Sequence, residues 1–164
     1  MNALRVAIQK QPIDFNAELA ALQVGNPRVG AICSFLGTVR DRNVGKPAHS
    51  ETVQSLELEH YPGMTERSIE AMIDKAMVRF DILGARVIHR VGLLKPLDSI
   101  VFIAVTSAHR GASFQACEFL MDYLKTQAPF WKKETTPIGA HWVDARVSDD
   151  AALERWGIQA SNSG

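Results

Sequence analysis

The chain has 164 residues, of which 46% are hydrophobic and 22% are charged, a composition typical of a single soluble globular domain. Its 18 basic and 18 acidic residues cancel, which argues against a global field for nucleic acid or membrane, so any anion site has to be a local cluster. No stretch has the apolar length of a signal peptide or a membrane span, and Cys33 and Cys117 form no CxxC pair. We therefore expect free thiols in a cytoplasmic protein.

The first half of the chain combines strand patterns with one short helix. We predict a strand over residues 4–10, a helix over residues 16–23 and a buried, mostly apolar strand over residues 29–39. Residues 41–52 are polar and contain Gly and Pro, which predicts a mobile loop. A strand over residues 54–60 follows that loop.

Two long helices dominate the second half. The first is predicted to begin at an N-cap, Thr65, and to end near residues 81–84. The second is predicted over residues 111–127. The apolar side chains available for its buried face are Phe114, Cys117, Leu120, Met121 and Leu124. Further strands are predicted over residues 85–91, 99–108 and 140–145.

The order of these elements lacks the regular strand–helix alternation of a doubly wound sheet. We therefore predict an α+β fold in which two main helices pack on a largely antiparallel sheet. In this prediction residues 1–147 form a single domain, and residues 148–164 form a polar C-terminal tail.

The segment YLKTQAPFWKKE, residues 123–134, carries the strongest functional pattern. Lys125 lies at the end of the second predicted helix, Pro129 stops that helix, and Lys132 and Lys133 follow after a turn. Ammonium groups held close together beside aromatic rings repel each other and lose water, which makes an amine available for acid/base work or for binding an anion. The alternative is a solvated basic surface at a helix end.

The segment TSAHRGAS, residues 106–113, leads from a buried strand into a helix N-terminus. Unpaired backbone N–H groups and the helix dipole attract anions there. His109 and Arg110 add an imidazole and a fixed cation, and Ser107 and Ser113 add hydroxyl groups. This pattern predicts an anion site, and a helix cap with an exposed arginine is the alternative.

The segment FLGTVR, residues 35–40, ends a buried strand with a glycine and an arginine. Gly37 permits the close approach of a backbone or a ligand, and Arg40 stands beside it at the strand exit. Arg146 follows the last predicted strand in a similar way. Taken alone, each of these arginines is more simply a surface residue.

Several classes of site lack their sequence signatures. The histidines show no metal-ligand spacing, which predicts that there is no metal centre. No GxSxG, Walker A or GxGxxG motif is present. No serine or cysteine lies in a recognisable activated setting, which argues against a hydrolase or acyltransferase.

Taken together, the motifs FLGTVR, LEHYPGM, VIHRVG, TSAHR, MDYLKTQAPFWKKE and WVDAR resemble the large, catalytic subunit of molybdopterin synthase. The resemblance runs over residues 29–146. It implies an α/β hammerhead-type fold and a central homodimer. Each chain would bind one small ubiquitin-like subunit with a thiocarboxylated Gly-Gly tail, giving a heterotetramer. The implied activity is that of a sulfurtransferase in molybdenum cofactor biosynthesis. It adds two sulfurs to cyclic pyranopterin monophosphate and needs no cofactor of its own.

The resemblance also implies roles for individual residues. Lys125 and Lys132 match the catalytic lysines, although their two roles could be exchanged and the sequence does not show whether Lys132 or Lys133 faces the pocket. The substrate-binding residues implied are Phe35, Arg40, His109, Arg110 and Arg146. Whether His109 and Arg110 serve their own pocket or that of a neighbouring chain is left open.

A second class of function is a non-catalytic module that binds phosphate or a Gly-Gly tail. Such a module would keep the TSAHR anion site but would not need both lysines. The joint presence of Lys125 and Lys132 therefore favours the enzyme.

Overall fold

The computed structural model describes residues 4–42, 52–143 and 147–158, and for residues 147–150 only the backbone. Of the predicted loop over residues 41–52, residues 43–51 lie outside the described part. Within the described ranges the chain forms the following strands and helices in order: β1 (Val6–Gln9), α1 (Phe15–Gln23), β2 (Ala31–Thr38), β3 (Ser55–His60), α2 (Met64–Arg79), β4 (Gly84–Arg90), β5 (Gly92–Leu94), β6 (Ser99–Ser107), α3 (Arg110–Gln127), β7 (Phe130–Thr136), β8 (Gly139–Val143) and α4 (Val147–Glu154).

The strands form two four-stranded sheets. The first sheet has the order β1-β4-β6-β2, in which only the β1–β4 pair is parallel. The second sheet has the order β5-β3-β7-β8 and is antiparallel throughout. The predicted α+β class with largely antiparallel pairing is thus confirmed, although the strands divide into two sheets.

The main core lies between the first sheet and the two long helices. Its fully buried side chains include Ile69 and Ile73 of α2, Leu120 of α3 and Ile103 of β6. A smaller cluster on the opposite face of that sheet packs against α1. This arrangement gives each helix one buried stripe and one solvent-facing stripe, as an amphipathic helix requires.

The buried stripe of α3 differs from the predicted one at Phe114, which is 62% exposed. The stripe instead passes through Ser113, Ala116, Leu120 and Tyr123. This spacing follows the helical period, and it leaves Phe114 on the outside.

The start of α2 also differs from the predicted start. Gly63 is the N-cap residue, and its N–H donates to the Glu66 carboxylate at 2.6 Å. Thr65 lies inside the first turn, where its hydroxyl accepts from the Tyr61 N–H at 3.0 Å. The Thr65 side chain therefore binds the backbone just before the helix, and it does not cap the helix.

Strand β2 is not buried as its apolar sequence predicts. It is the edge strand of the first sheet beside β6, and Phe35 and Leu36 are 39% and 45% exposed. An apolar run usually indicates burial on both faces. Within the described part of this single chain nothing covers the outer side of β2, so the prediction of a buried strand is wrong for the isolated chain.

The predicted polar tail contains the helix α4, which packs against α3. Leu153 is fully buried, and the Trp156 ring meets Phe80 and Phe119 edge-on at centroid distances of 5.8 and 5.5 Å. The Trp156 indole N–H also donates to Asp122 at 2.9 Å. Two apolar residues thus attach a mostly polar segment to the core.

Two further findings bear on the sequence expectations. Cys33 and Cys117 are free thiols, and burial raises the pKa of the Cys117 thiol to about 12. No helix in the described part of the chain is long and apolar enough to cross a membrane.

We predict that Leu153→Ala lowers the free energy of unfolding by about 2–4 kcal/mol, because it leaves a cavity beneath α4. The measurement is urea denaturation followed by circular dichroism. Glu154→Ala is the matched control, because Glu154 is exposed on the same helix. Equal stability of the two variants would contradict a packed α4.

Candidate active site

The junction between α3 and β7 places the lysine motif at one end of the first sheet. Lys125 is exposed in the last turn of α3, and the C-cap Ala128 is extended as expected before Pro129. The Thr65 hydroxyl donates to the Pro129 carbonyl at 3.0 Å, and the Ser68 hydroxyl donates to the Gln127 carbonyl at 3.4 Å. The first turns of α2 therefore hold the junction in place.

The pairing register of β7 separates the two neighbouring lysines. Lys132 lies opposite Leu58 of β3, which is only 3% exposed, so the Lys132 side chain is on the same, inner face of the second sheet, at a position where it is exposed to solvent. Lys133 lies opposite Glu57 and Trp142 on the outer face, where its ammonium is 5.7 Å from the centre of the Trp142 ring. Lys132 therefore shares a face with the inner residues, and Lys133 does not.

Glu134 is a further residue of this inner face that sequence reasoning missed. It lies two positions after Lys132, is only 7% exposed, and has one carboxylate oxygen 3.8 Å from His141 Nε2. The spacing of Lys132 and Glu134 in the sequence could have revealed this residue. In a strand, residues two apart share a face, so a lysine that faces inward brings the glutamate at the second position after it to the same face.

His89 of β4 is the second missed residue. Its ring stacks on the Phe130 ring with centroids 3.9 Å apart and an angle of 22° between the planes. Burial lowers the pKa of His89 to about 4, and the nearby charges of Lys132 and His60 add to that effect. The imidazole is therefore uncharged at neutral pH and lies within electrostatic reach of Lys132.

Arg40 emerges at the same end of the first sheet. The preceding residue, Val39, is hydrogen-bonded through its backbone to Asp98 and Leu97. Val39 is buried in one cluster with Leu58, the residue opposite Lys132. Arg40 is exposed beside this cluster. Arg40 thus lies at the same end of the first sheet as the C-terminal end of α3, because α3 packs back along β6 and β2 after β6 ends.

Phe35 lies further along β2, opposite Ile103, and is partly exposed. A Cβ at Gly37 would stand 2.7 Å from Val101 Cγ1 and 3.3 Å from the Phe35 ring. A side chain at position 37 would therefore require Val101 to move, and Phe35 to give way slightly. This is a close approach of side chains, whereas the sequence pattern suggested a backbone or a ligand.

His109 and Arg110 lie at the opposite end of the molecule from Lys125. His109 is the N-cap residue of α3 and makes no side-chain capping hydrogen bond, and both residues are exposed. Arg110 begins α3 and Lys125 lies in its last turn, so at about 1.5 Å per residue their backbones are roughly 22 Å apart. A single chain does not bring these residues together.

The two serines of the TSAHR segment have structural roles. The Ser107 hydroxyl donates to the His109 carbonyl at 2.7 Å, and the Ser113 hydroxyl donates to the Arg110 carbonyl at 2.8 Å. Both serines are buried. Their hydroxyl hydrogens are therefore used within the turn, and the expectation that they contribute to an anion site is wrong.

Arg146 lies outside the described residues, so its predicted place in the pocket stays a prediction. In the described ranges no group of three or more His, Cys, Asp and Glu side chains is arranged to hold a metal ion. The described side chains at the α3–β7 end include cations, the buried carboxylate of Glu134 and the buried imidazole of His89.

Comparison with known proteins gives consistent matches. A family model described as MoaE protein matches residues 8–127. A molybdopterin synthase catalytic subunit from Ralstonia nicotianae is 56% identical over 158 residues, covering 96% of this chain and 87% of the relative.

Two solved structures are also similar. A molybdopterin biosynthesis MoaE protein from Burkholderia ambifaria matches with a TM-score of 0.80 and 52% identity, covering 96% of this chain and 100% of the other. Molybdopterin synthase from Staphylococcus aureus matches with a TM-score of 0.77 and 29% identity, covering 87% and 99% of the two chains.

We predict that the stability of the protein depends on pH through His89. The pKa of His89 is about 4 in the folded state and about 6.5 when unfolded, so between these values the unfolded state binds the additional proton. The free energy of unfolding should therefore fall as the pH drops from about 6.5 to about 4, by up to about 3 kcal/mol.

Chemical denaturation across this pH range provides the measurement. His89→Phe keeps an aromatic ring against Phe130 but cannot bind the proton, so its stability should fall less towards low pH. His109→Ala removes an exposed histidine and should follow the original protein. If His89→Phe had the same pH dependence as the original protein, the buried imidazole would not be its source.

Proposed function

This chain belongs to the MoaE family, and on that basis we propose that it is the catalytic subunit of a molybdopterin synthase. Its reaction would transfer sulfur from the thiocarboxylated Gly-Gly tail of a small ubiquitin-like subunit to cyclic pyranopterin monophosphate, which forms the dithiolene of molybdopterin. The observation that carries the proposal is the β7 register, because it turns Lys132 to the inner face at the end of the fold where Lys125 and Arg40 also lie.

The charges at this end suit the two reactants. The sulfur donor is an anionic thiocarboxylate on an extended tail, and the acceptor is a phosphate ester. Arginine binds phosphate through paired charge-assisted hydrogen bonds, a role that suits Arg40 and Arg146. Phe35, which is partly exposed on β2, would line the pocket as an apolar side chain. The chain has no net charge, so these local cations rather than a global field would attract the anions.

Sulfur transfer needs a proton for the departing oxygen and a fixed positive charge near the developing negative charge. An amine can supply the proton, and positioned cations stabilise the charge. We assign Lys125 to the thiocarboxylate and the acid/base step, and Lys132 to the pterin substrate or to a further proton transfer. The inner-facing position of Lys132 favours it over Lys133 for this role.

The complete pocket would be shared between two copies of the chain. His109 and Arg110 are about the length of α3 away from Lys125 in one chain. The edge strand β2 leaves Phe35 and Leu36 exposed, and an exposed apolar edge is a surface that a second strand can cover. A homodimer that brings His109 and Arg110 of one copy to the lysines of the other would complete the site.

Each copy would also bind one small subunit, giving a heterotetramer in the cytoplasm. The similar protein from Ralstonia nicotianae is named as one subunit of its enzyme, which supports a second type of chain. The two free thiols, Cys33 and Cys117, are consistent with a reducing compartment. The alternative is a module of the same fold that binds the tail or a phosphate without turnover.

We predict that Lys125→Ala abolishes product formation, with a loss of at least about 100-fold, because it removes the acid/base group. The assay mixes the protein with thiocarboxylated small subunit and cyclic pyranopterin monophosphate and measures the dithiolene product. Thermal unfolding should change little, since a lysine at a helix end contributes only about 0.3–1 kcal/mol.

Lys133→Ala is the matched control for this experiment. It removes the same charge from the outer face of the same region and should retain activity. No product from the original protein, with binding of the small subunit still detectable, would favour the binding module. Loss of folding in Lys125→Ala would show that this lysine has a structural role.

We predict that Lys125→Ala and Arg110→Ala restore each other's activity when the two variants are mixed. If each site takes Lys125 from one copy and Arg110 from the other, a mixed dimer keeps one intact site. Random exchange of equal amounts should then recover about a quarter of the original activity. The measurement is product formation after unfolding and refolding the variants together.

The same two variants refolded separately serve as controls and should stay inactive. The mixed sample would recover activity only if the Lys125 and the Arg110 of one site come from different chains. If the mixed sample remained as inactive as its components, each site would belong to one chain.

A further inference from the structure

His89 connects the two sheets at the end of the fold that carries the lysines. It is the next-to-last residue of β4, where it is paired with Val101 of β6 and Ile8 of β1. Its ring lies flat on the ring of Phe130, the first residue of β7 in the second sheet. Phe130 in turn lies opposite His60 of β3. The stack therefore joins β4 to β7 directly across the space between the sheets.

The two ring nitrogens of His89 have different surroundings. Nδ1 is 2.8 Å from the Arg90 carbonyl oxygen. A carbonyl oxygen only accepts hydrogen bonds, so in the uncharged ring the proton is on Nδ1 and Nε2 carries a lone pair. The Arg90 guanidinium donates to the carbonyls of Lys10 and Ser99.

Charged and titratable groups reach this ring from several packed elements. β7 contributes Lys132, and β3 contributes His60, whose Nε2 is 3.6 Å from a Glu66 carboxylate oxygen of α2. A protonated His89 imidazole would repel the Lys132 ammonium. An uncharged imidazole does not repel the Lys132 ammonium, and it packs against Phe130 as an aromatic surface.

Phe130 and Lys132 lie two residues apart in β7, so their side chains project from the same face. A ring held flat by His89 therefore limits the rotation and displacement of the strand segment that carries the lysine. The Thr65 bond to the Pro129 carbonyl fixes the same segment from the other side. Together these contacts determine where β7 begins.

We propose that His89 is a positioning residue for sulfur transfer, whose ring stacks on Phe130 and thereby holds Lys132 on the inner face of β7. This inference rests on the proposed function for its catalytic consequence. The contact between His89 and the lysine strand does not depend on that function. The two parts can therefore be tested separately.

The first test measures the coupling between His89 and Lys132 without any substrate. The His89 imidazole signals are followed by NMR during pH titration of the full chain, of Lys132→Met and of Lys133→Met. Removing the inner ammonium should raise the pKa of His89 by at least about half a pH unit, whereas removing the outer one should leave it unchanged. Equal shifts in the two variants, or no shift in either, would overturn the proposed arrangement.

The second test measures product formation by His89→Phe and His89→Ala in the assay described for Lys125. The phenylalanine ring keeps the stack, so we expect His89→Phe to retain at least a third of the original kcat. Alanine removes the support, and we expect kcat to fall at least tenfold while the Kd for the small subunit stays unchanged. The pH profile of His89→Phe above pH 5.5 should match that of the original protein.

Val105→Ala is the control for a general loss of packing. Val105 is fully buried in β6, and its register partners are Ala85 and Cys33 at the opposite end of the first sheet from His89. Assayed below its melting temperature, it should keep the original kcat. A loss of kcat in Val105→Ala equal to that in His89→Ala would reduce the effect to stability and overturn the proposal.

Two other outcomes would also overturn the proposal. An inactive but folded His89→Phe would make the imidazole itself a catalytic group, and a fully active His89→Ala would show that the stack is not needed. If the original protein made no product, the proposed function would fail, and the NMR titration would still decide whether His89 and Lys132 are coupled. If His89→Ala did not fold, the activity of His89→Phe and the NMR titration would still test the proposal.

Discussion

The contact on which the candidate site depends is the attachment of the α3–β7 junction to the rest of the fold. Proline ends α3, and within three residues the chain has to begin a strand in a different sheet. Hydroxyl groups from the first turns of α2 bind the carbonyls of Gln127 and Pro129, and the His89 ring covers Phe130. Without these contacts the helix-end lysine and the strand lysine would have no defined relation to each other.

This attachment also suggests how a chain with zero net charge would hold the two anionic reactants of the proposed reaction. The cations are gathered where sheet ends and a helix end meet, so the positive potential is local. The uncharged His89 ring lies beside Lys132 in this region without adding repulsion. A buried carboxylate, Glu134, faces the same side and balances part of the charge. The cations at the other end of α3 are too distant to contribute within one chain, and the exposed β2 edge offers a surface through which a second copy can supply them.

Sequence reasoning succeeded where local pattern and burial agree. Helix α3 and strand β6 have strong periodicity and lie in the core, so the bounds predicted for each differ from the observed bounds by one residue. Strand β7 was missed because its Trp-Lys-Lys-Glu sequence is polar, and only its pairing with β3 and β8 makes it a strand. Helix α4 was missed because two side chains, Leu153 and Trp156, provide its attachment. The burial of β2 was predicted wrongly because an apolar run does not reveal whether its cover comes from the same chain.

The sequence by itself determined the α+β class, the family resemblance and the identity of the candidate residues, because residue type and order along the chain are sufficient for these. The tertiary structure decided which lysine faces inward, because the side chains of a strand alternate and only the pairing register states which side is buried. It also decided that His109 and Arg110 lie far from Lys125, because a rigid helix separates them. The partnership of His89 with Phe130 could not be read from the sequence, since it joins residues of two different sheets whose packing depends on every other contact in the fold.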